Sequence, residues 1–244
     1  MIRPLLLIAI LAGLFLAAPP AMAQDISISL GDDASLSTRT IQLILLITVL
    51  SLAPGLAIMI TCFPFMVTVL SILRQGIGLQ QSPPNMLIIS LALFLTYFVM
   101  EPVFMAAWEQ GVAPLLNDEF PVETGIERAL EPFRAFMAGR VDAETLASMA
   151  ALRPDGAQMA QGADAPLSVL VPSFLLSEIS RAFQIGFLIF LPFLIIDLVV
   201  AAILMSMGMM MVPPVVVSLP FKLAFFVIAD GWRLIADSLV RGYF

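Results

Sequence analysis

The sequence predicts an all-α protein of membrane type, built from broken and kinked hydrophobic helical hairpins with a small helical insert. Three observations lead there. Hydrophobic residues make up 61% of the 244 positions and charged residues only 12%, against about 25% charged in ordinary soluble domains. Mean hydropathy is +1.05. The apolar residues are gathered into long uncharged tracts, interrupted by proline and glycine, and of a length that suits roughly four spanning helices.

The first 23 residues have the layout of a cleavable signal peptide. Arg3 supplies the positive start and Leu5 to Ala18 the apolar stretch, with Ala21-Met22-Ala23 as the cleavage site before Gln24. Residues 24–39 form a polar leader. Residues 40–108 hold the first two apolar helices and a polar connector. Thr40 to Leu73 runs 34 residues without a charge, and Pro54-Gly55 and Pro64 should kink it or divide it into a hairpin. After the connector from Arg74 to Asn85, a second apolar helix runs from about Met86 to Met100 and onward toward Trp108, punctuated by Glu101-Pro102.

Residues 109–166 change character, with ten acidic residues against four arginines. Ile126, Leu130, Phe133 and Met137 share one face at helical spacing while Glu127, Glu131 and Arg134 lie off it, so an amphipathic helix is expected. The simplest account is a small solvated helical insert outside the cytoplasm. Residues 167–244 carry two more apolar helices, about 171–207 and 215–238, the first broken or bent near Pro192. Between them lies Gly208-Met209-Met210-Met211-Val212-Pro213-Pro214, a helix break made of flexible, polarizable side chains.

Several chemistries are excluded. Histidine is absent and cysteine occurs once, as Cys62 in an apolar segment, so there is no serine–histidine triad, no His-ligated metal and no internal disulfide. Leu30-Gly31-Asp32-Asp33 superficially resembles an aspartyl-protease motif but stands in the polar leader. No enzyme motif, cofactor or metal site remains, and a net charge of −7 argues against nucleic acid.

Between Arg181 and Arg233 the only charges are Asp197, Lys222 and Asp230. If the last two helices fold back about the Met-Pro break, Asp197 and Lys222 lie equally far from it on opposite arms. Glu178 and Arg241 do the same, and Arg181 with Asp237 nearly so, giving three candidate charge pairs at matching heights. An unpaired charge in such a tract is costly. The alternative role for Asp197 is a proton relay or substrate counter-ion, as in a small ion-coupled transporter. The tip from Ser206 to Pro214 has no basic residue, which is unusual for a cytoplasmic loop and suits a loop buried in protein or lining a pore. Three consecutive methionines on a helix would point in different directions. On a loop repeated around a ring they can converge as a deformable apolar constriction, with Gly208, Pro213 and Pro214 as the movable backbone.

Pro172-Ser173-Phe174-Leu175-Leu176-Ser177-Glu178, Ala182-Phe183-Gln184-Ile185-Gly186-Phe187 and Ile196-Asp197-Leu198-Val199 resemble the signature of the FliP family. So do Met207-Gly208-Met209-Met210-Met211-Val212-Pro213-Pro214, Leu219-Pro220-Phe221-Lys222, Asp230-Gly231-Trp232 and the connector Gln80-Gln81-Ser82-Pro83-Pro84-Asn85. The resemblance covers about 40–108 and 166–244. It implies a non-enzymatic, pore-forming subunit of the flagellar type III protein export gate in the bacterial inner membrane at the basal body. It further implies a ring-like helical oligomer, a pentamer with one R subunit, raised toward the periplasmic side. FliQ, FliR, FlhB, FlhA and unfolded flagellar substrates are the implied partners. Met209, Met210 and Met211 correspond to the family's pore gasket, and Asp197 and Lys222 to its intrahelical charges. A cleavable signal peptide and a sizeable acidic insert resemble the flagellar branch more than the virulence injectisomes, which stand as the alternative.

Overall fold

The computed structural model describes residues 36–79, 82–154, 164–209 and 211–244. The signal-cleavage site at Ala23 and Gln24 and the middle methionine, Met210, lie outside the described residues. The chain divides into two compact units between Val49 and Leu50. No strand occurs among the described residues, and every regular element is helical.

The first unit contributes the start of α1 (Leu36–Met59). From Thr40 to Val49 the helix carries exposed aliphatic side chains, Leu45 and Ile47 among them. This is the surface expected of a helix meant for an apolar medium.

In the second unit α1 ends at Met59, and the break in the long apolar tract falls at Ile60–Cys62 rather than at Pro54-Gly55. Pro54 lies inside α1, and Pro64 opens α2 (Phe63–Ile77) at a position where its missing N–H costs nothing. Thr61 makes the turn: its hydroxyl donates to the Ile58 carbonyl at 2.9 Å and accepts from the Phe63 N–H at 3.4 Å. Gly78, at φ +87°, closes α2 with its N–H on the Gln75 carbonyl.

α2 is the packing centre of this unit. Phe65, Met66, Val69, Leu70 and Leu73 are all buried, against α3 (Asn85–Ala107) and above all α7 (Leu167–Ser206). α3 presents Ile88, Ala92, Val99 and Met100 to it at helical spacing and leaves Phe94, Tyr97 and Phe98 exposed on other faces. The helix continues through Pro102 and passes into one π turn, Trp108–Val112, then α4 (Ala113–Leu116). Gly111 in that turn lies against the Ala129 backbone, where an added Cβ would stand 2.4 Å from the Ala129 nitrogen.

The insert forms α5 (Val122–Arg140) and α6 (Ala143–Ala151). Its buried face is rotated from the expected stripe. Met137 is buried, but Ile126 is exposed, and Gly125 takes its place beneath Leu115. The reason is tertiary: α5 docks on the π turn, α3 and α7 together, and small residues allow the close approach. A second apolar cluster of Met137, Leu146, Val169, Leu170 and Phe174 binds the insert to the start of α7. Asp142 caps α6, accepting from the Thr145 N–H at 2.9 Å, and this bond holds its carboxyl below the usual range.

α7 runs 40 residues, about 60 Å at helical rise, so Pro192 does not break it as expected. Its neighbours Phe190 and Phe193 pack on Gly76 of α2, and this contact supports the turn that lacks one backbone bond. The last apolar stretch, expected as one helix over 215–238, is two: α8 (Pro214–Ile228) and α9 (Gly231–Arg241), bent by 61°. Asp230 takes a left-handed conformation at φ +50°. Gly231 sits where a Cβ would meet the Phe226 ring at 2.2 Å, and Trp232 closes edge-on over the same ring. Among the described residues, three helices are long and apolar enough to cross a membrane, or four if the bent pair counts as one span.

Candidate functional site

The methionine loop begins where α7 terminates. Gly208, at φ +75°, donates its N–H to the Met205 carbonyl, and the Met209 N–H reaches the Leu204 carbonyl at 3.0 Å. These two bonds form a Schellman-type C-cap, which satisfies the free carbonyls at the helix end and turns the chain sharply. The Val212 N–H then returns to the Met209 carbonyl at 3.3 Å, and Pro213 leads into α8 with Pro214 in its first turn. Met209 is 40% exposed and Met211 98%. These bonds brace the two ends of the loop, and of its described methionines Met211 stands clear of the body of the chain.

Behind the loop the two arms are joined by a buried polar group. Lys222 Nζ lies 2.6 Å from Asp197 Oδ2, with the lysine side chain 4% exposed and the aspartate 26%. Ser218, one helical turn before Lys222, donates to Asp197 Oδ1 at 2.5 Å. Lys222 also donates to the Gly76 carbonyl at 3.1 Å, near the end of α2. The ammonium thus sits at a helix C-terminus as well as on a carboxylate, two favourable settings for one cation. Three helices, α2, α7 and α8, meet at one side chain. Ser218 and Gly76 were not singled out in the sequence. Ser218 was detectable by its i,i+4 relation to Lys222, whereas Gly76 lies 146 residues away.

The outer charges pair otherwise than the hairpin symmetry suggested. Glu178 does not meet Arg241, nor Arg181 Asp237. Glu178, fully buried, binds Arg140 at 3.1 Å and Arg181 at 3.3 Å, and accepts from the Tyr243 hydroxyl. Arg241 pairs with Asp237 of its own helix at 2.7 Å, both exposed, and Asp230 with Arg233 at 3.4 Å. The cause is the 61° bend, which carries α9 away from the line of α8, while Arg140 arrives from the insert. Among the described residues no group of three or more metal-binding side chains occurs.

A family model described as the FliP family matches residues 46–239. The chain belongs to the FliP family. A relative from Caulobacter vibrioides, the flagellar biosynthetic protein FliP, is 50% identical over 99% of this chain and 92% of its own length. Proteins of the same name from Agrobacterium fabrum and Bacillus subtilis are 49% and 44% identical. The first spans 86% of each chain, and the second 91% of this chain and 100% of its own. This FliP-family chain thus combines helices of membrane type with a self-braced methionine loop and a three-helix ionic junction.

Proposed function

We propose that this chain is the pore-forming subunit of the flagellar type III protein export gate, a non-enzymatic component of the export apparatus in the bacterial inner membrane. Unfolded flagellar substrates would pass a constriction built from Met209, Met210 and Met211. The observation that carries this reading is the methionine loop, which presents outward-facing thioethers from a glycine-capped helix end braced by the buried Lys222–Asp197 junction. In a homo-oligomeric ring, a pentamer with one R subunit, copies of that loop would place soft apolar side chains around an axis. They would exclude water and ions yet yield to a polypeptide. FliQ, FliR, FlhB and FlhA are the partners this role requires. A gate raised toward the periplasmic side accounts for a tip that carries no basic residue.

The ion-coupled transporter reading is disfavoured by Asp197 itself. Its two oxygens are taken by Ser218 and Lys222, so it is built into the structure as a counter-ion. Replacing all three methionines by alanine in the assembled complex tests the proposal. The expected result is increased small-ion conductance of the membrane with export of flagellar substrates largely retained. Wild-type conductance in that variant would overturn the gasket.

A further inference from the structure

Three helices, α2, α5 and α7, converge on the side chain of Tyr243. Its ring stacks on Phe136 of α5 with centroids 6.1 Å apart and meets Phe65 of α2 edge-on at 5.5 Å. The Arg140 guanidinium of α5 covers the ring at 4.0 Å. Its hydroxyl donates to Glu178 of α7. The preceding residue adds a backbone contact, the Gly242 carbonyl accepting from Arg140 Nη1 at 2.8 Å. Burial and the Glu178 carboxylate push the phenol pKa up, so it remains a donor through the whole physiological range.

We propose that Gly242–Tyr243, the segment following α9, is a latch that fastens the acidic insert to the apolar helices by completing the buried Glu178–Arg140 pair. Glu178 has no exposed surface, so each of its oxygens needs a donor from the protein. Arg140 and Arg181 serve Oε1, and Tyr243 serves Oε2. Arg140 stands at the last turn of α5, two residues before the cap of α6. A group that fixes Arg140 therefore fixes the junction of the two insert helices. Release of Tyr243 would leave a buried carboxylate oxygen without a donor and the guanidinium without its aromatic cover. The insert would then loosen while the α7–α8 junction at Lys222, which shares no residue with the latch, stays closed. The latch is independent of whether the methionine loop seals a pore.

Hydrogen exchange of the full-length protein in detergent tests this. Tyr243→Phe removes only the hydroxyl and Tyr243→Ala removes the ring as well. Loss of a hydrogen bond to a charged group should raise local opening about tenfold or more. The expected result is faster amide exchange over 122–151 in Tyr243→Phe, faster again in Tyr243→Ala, with α8 unchanged. Arg241→Ala, which removes an exposed pair on the adjoining helix, should leave the insert unaltered. Should Tyr243→Ala not accumulate, Tyr243→Phe alone decides. Unchanged exchange over the insert, an equal rise in α8, or the same rise in Arg241→Ala would each overturn the latch.

Discussion

Lys222 brings a positive charge into a position only 3% exposed, and its neighbours explain why it is tolerated there. The carboxylate at 2.6 Å and the helix-end carbonyl at 3.1 Å replace the water it gives up. Lys222→Met should therefore destabilise the detergent-solubilised protein by about 3–5 kcal/mol, because Asp197, only 26% exposed, loses its partner. The double variant Asp197→Asn with Lys222→Met removes both charges and should recover most of that loss. Thermal unfolding of the single and the double variant beside the unaltered protein checks this. A double variant as unstable as the single one would mean that Lys222 acts through Gly76 rather than through Asp197. Recovered stability with recovered export would also separate a structural bridge from a proton site, which no apolar replacement can restore.

At the scale of elements, the elbow between α8 and α9 decides which charges meet. Its geometry rests on Asp230 in the left-handed region and on Gly231 pressed to Phe226. Gly231→Ala inserts a methyl group where the ring stands at 2.2 Å. It should cost about 1–3 kcal/mol by overpacking, and Phe226→Leu in the same chain should return part of it. The melting temperatures of the single and double variants provide the measure, and a neutral Gly231→Ala would show that the ring is not what sets the bend. The long α7 makes the opposite point. Two prolines stand within it, and it continues through both because α2 packs along it. Proline is a strong local signal, but in an apolar bundle neighbouring helices can hold the turn that has lost a hydrogen bond. That is why α7 stays unbroken at Pro192, where the sequence predicts a break or bend, while the elbow falls at Ala229–Asp230, which holds no proline.

For the whole molecule, large exposed apolar faces are the dominant fact. Leu50, Phe94, Phe187, Leu198 and Val216 are each more than half exposed, more apolar surface than a soluble monomer tolerates. Lipid and further subunits are the environments that cover such faces. Gentle detergent extraction should therefore yield a species several times the 26.4 kDa of one chain, as native mass spectrometry can establish. A stable particle of single-chain mass would contradict the ring and with it the converging methionines. Much of this architecture was legible beforehand. Helical class, membrane character, an amphipathic helix in the insert and the family signature follow from composition, period and motif. The positions of the pairs beyond Asp197–Lys222 were not legible, since Arg140 and Tyr243 reach Glu178 from 38 and 65 residues away.

The division has a physical basis. The amino-acid sequence establishes the helical class and the apolar tracts, because hydropathy, charge and backbone preference are local, but the break at Ile60–Cys62 and the elbow at Asp230–Gly231 escape it. It also determined that Asp197 and Lys222 needed partners, since a charge in an apolar tract is costly wherever the tract lies. Which partners they and Glu178 found, and which face of α5 turned inward, was settled by packing between distant parts of the chain. Those outcomes depend on the angle at Asp230–Gly231 and on helices brought together over long separations, where no local pattern records the distance.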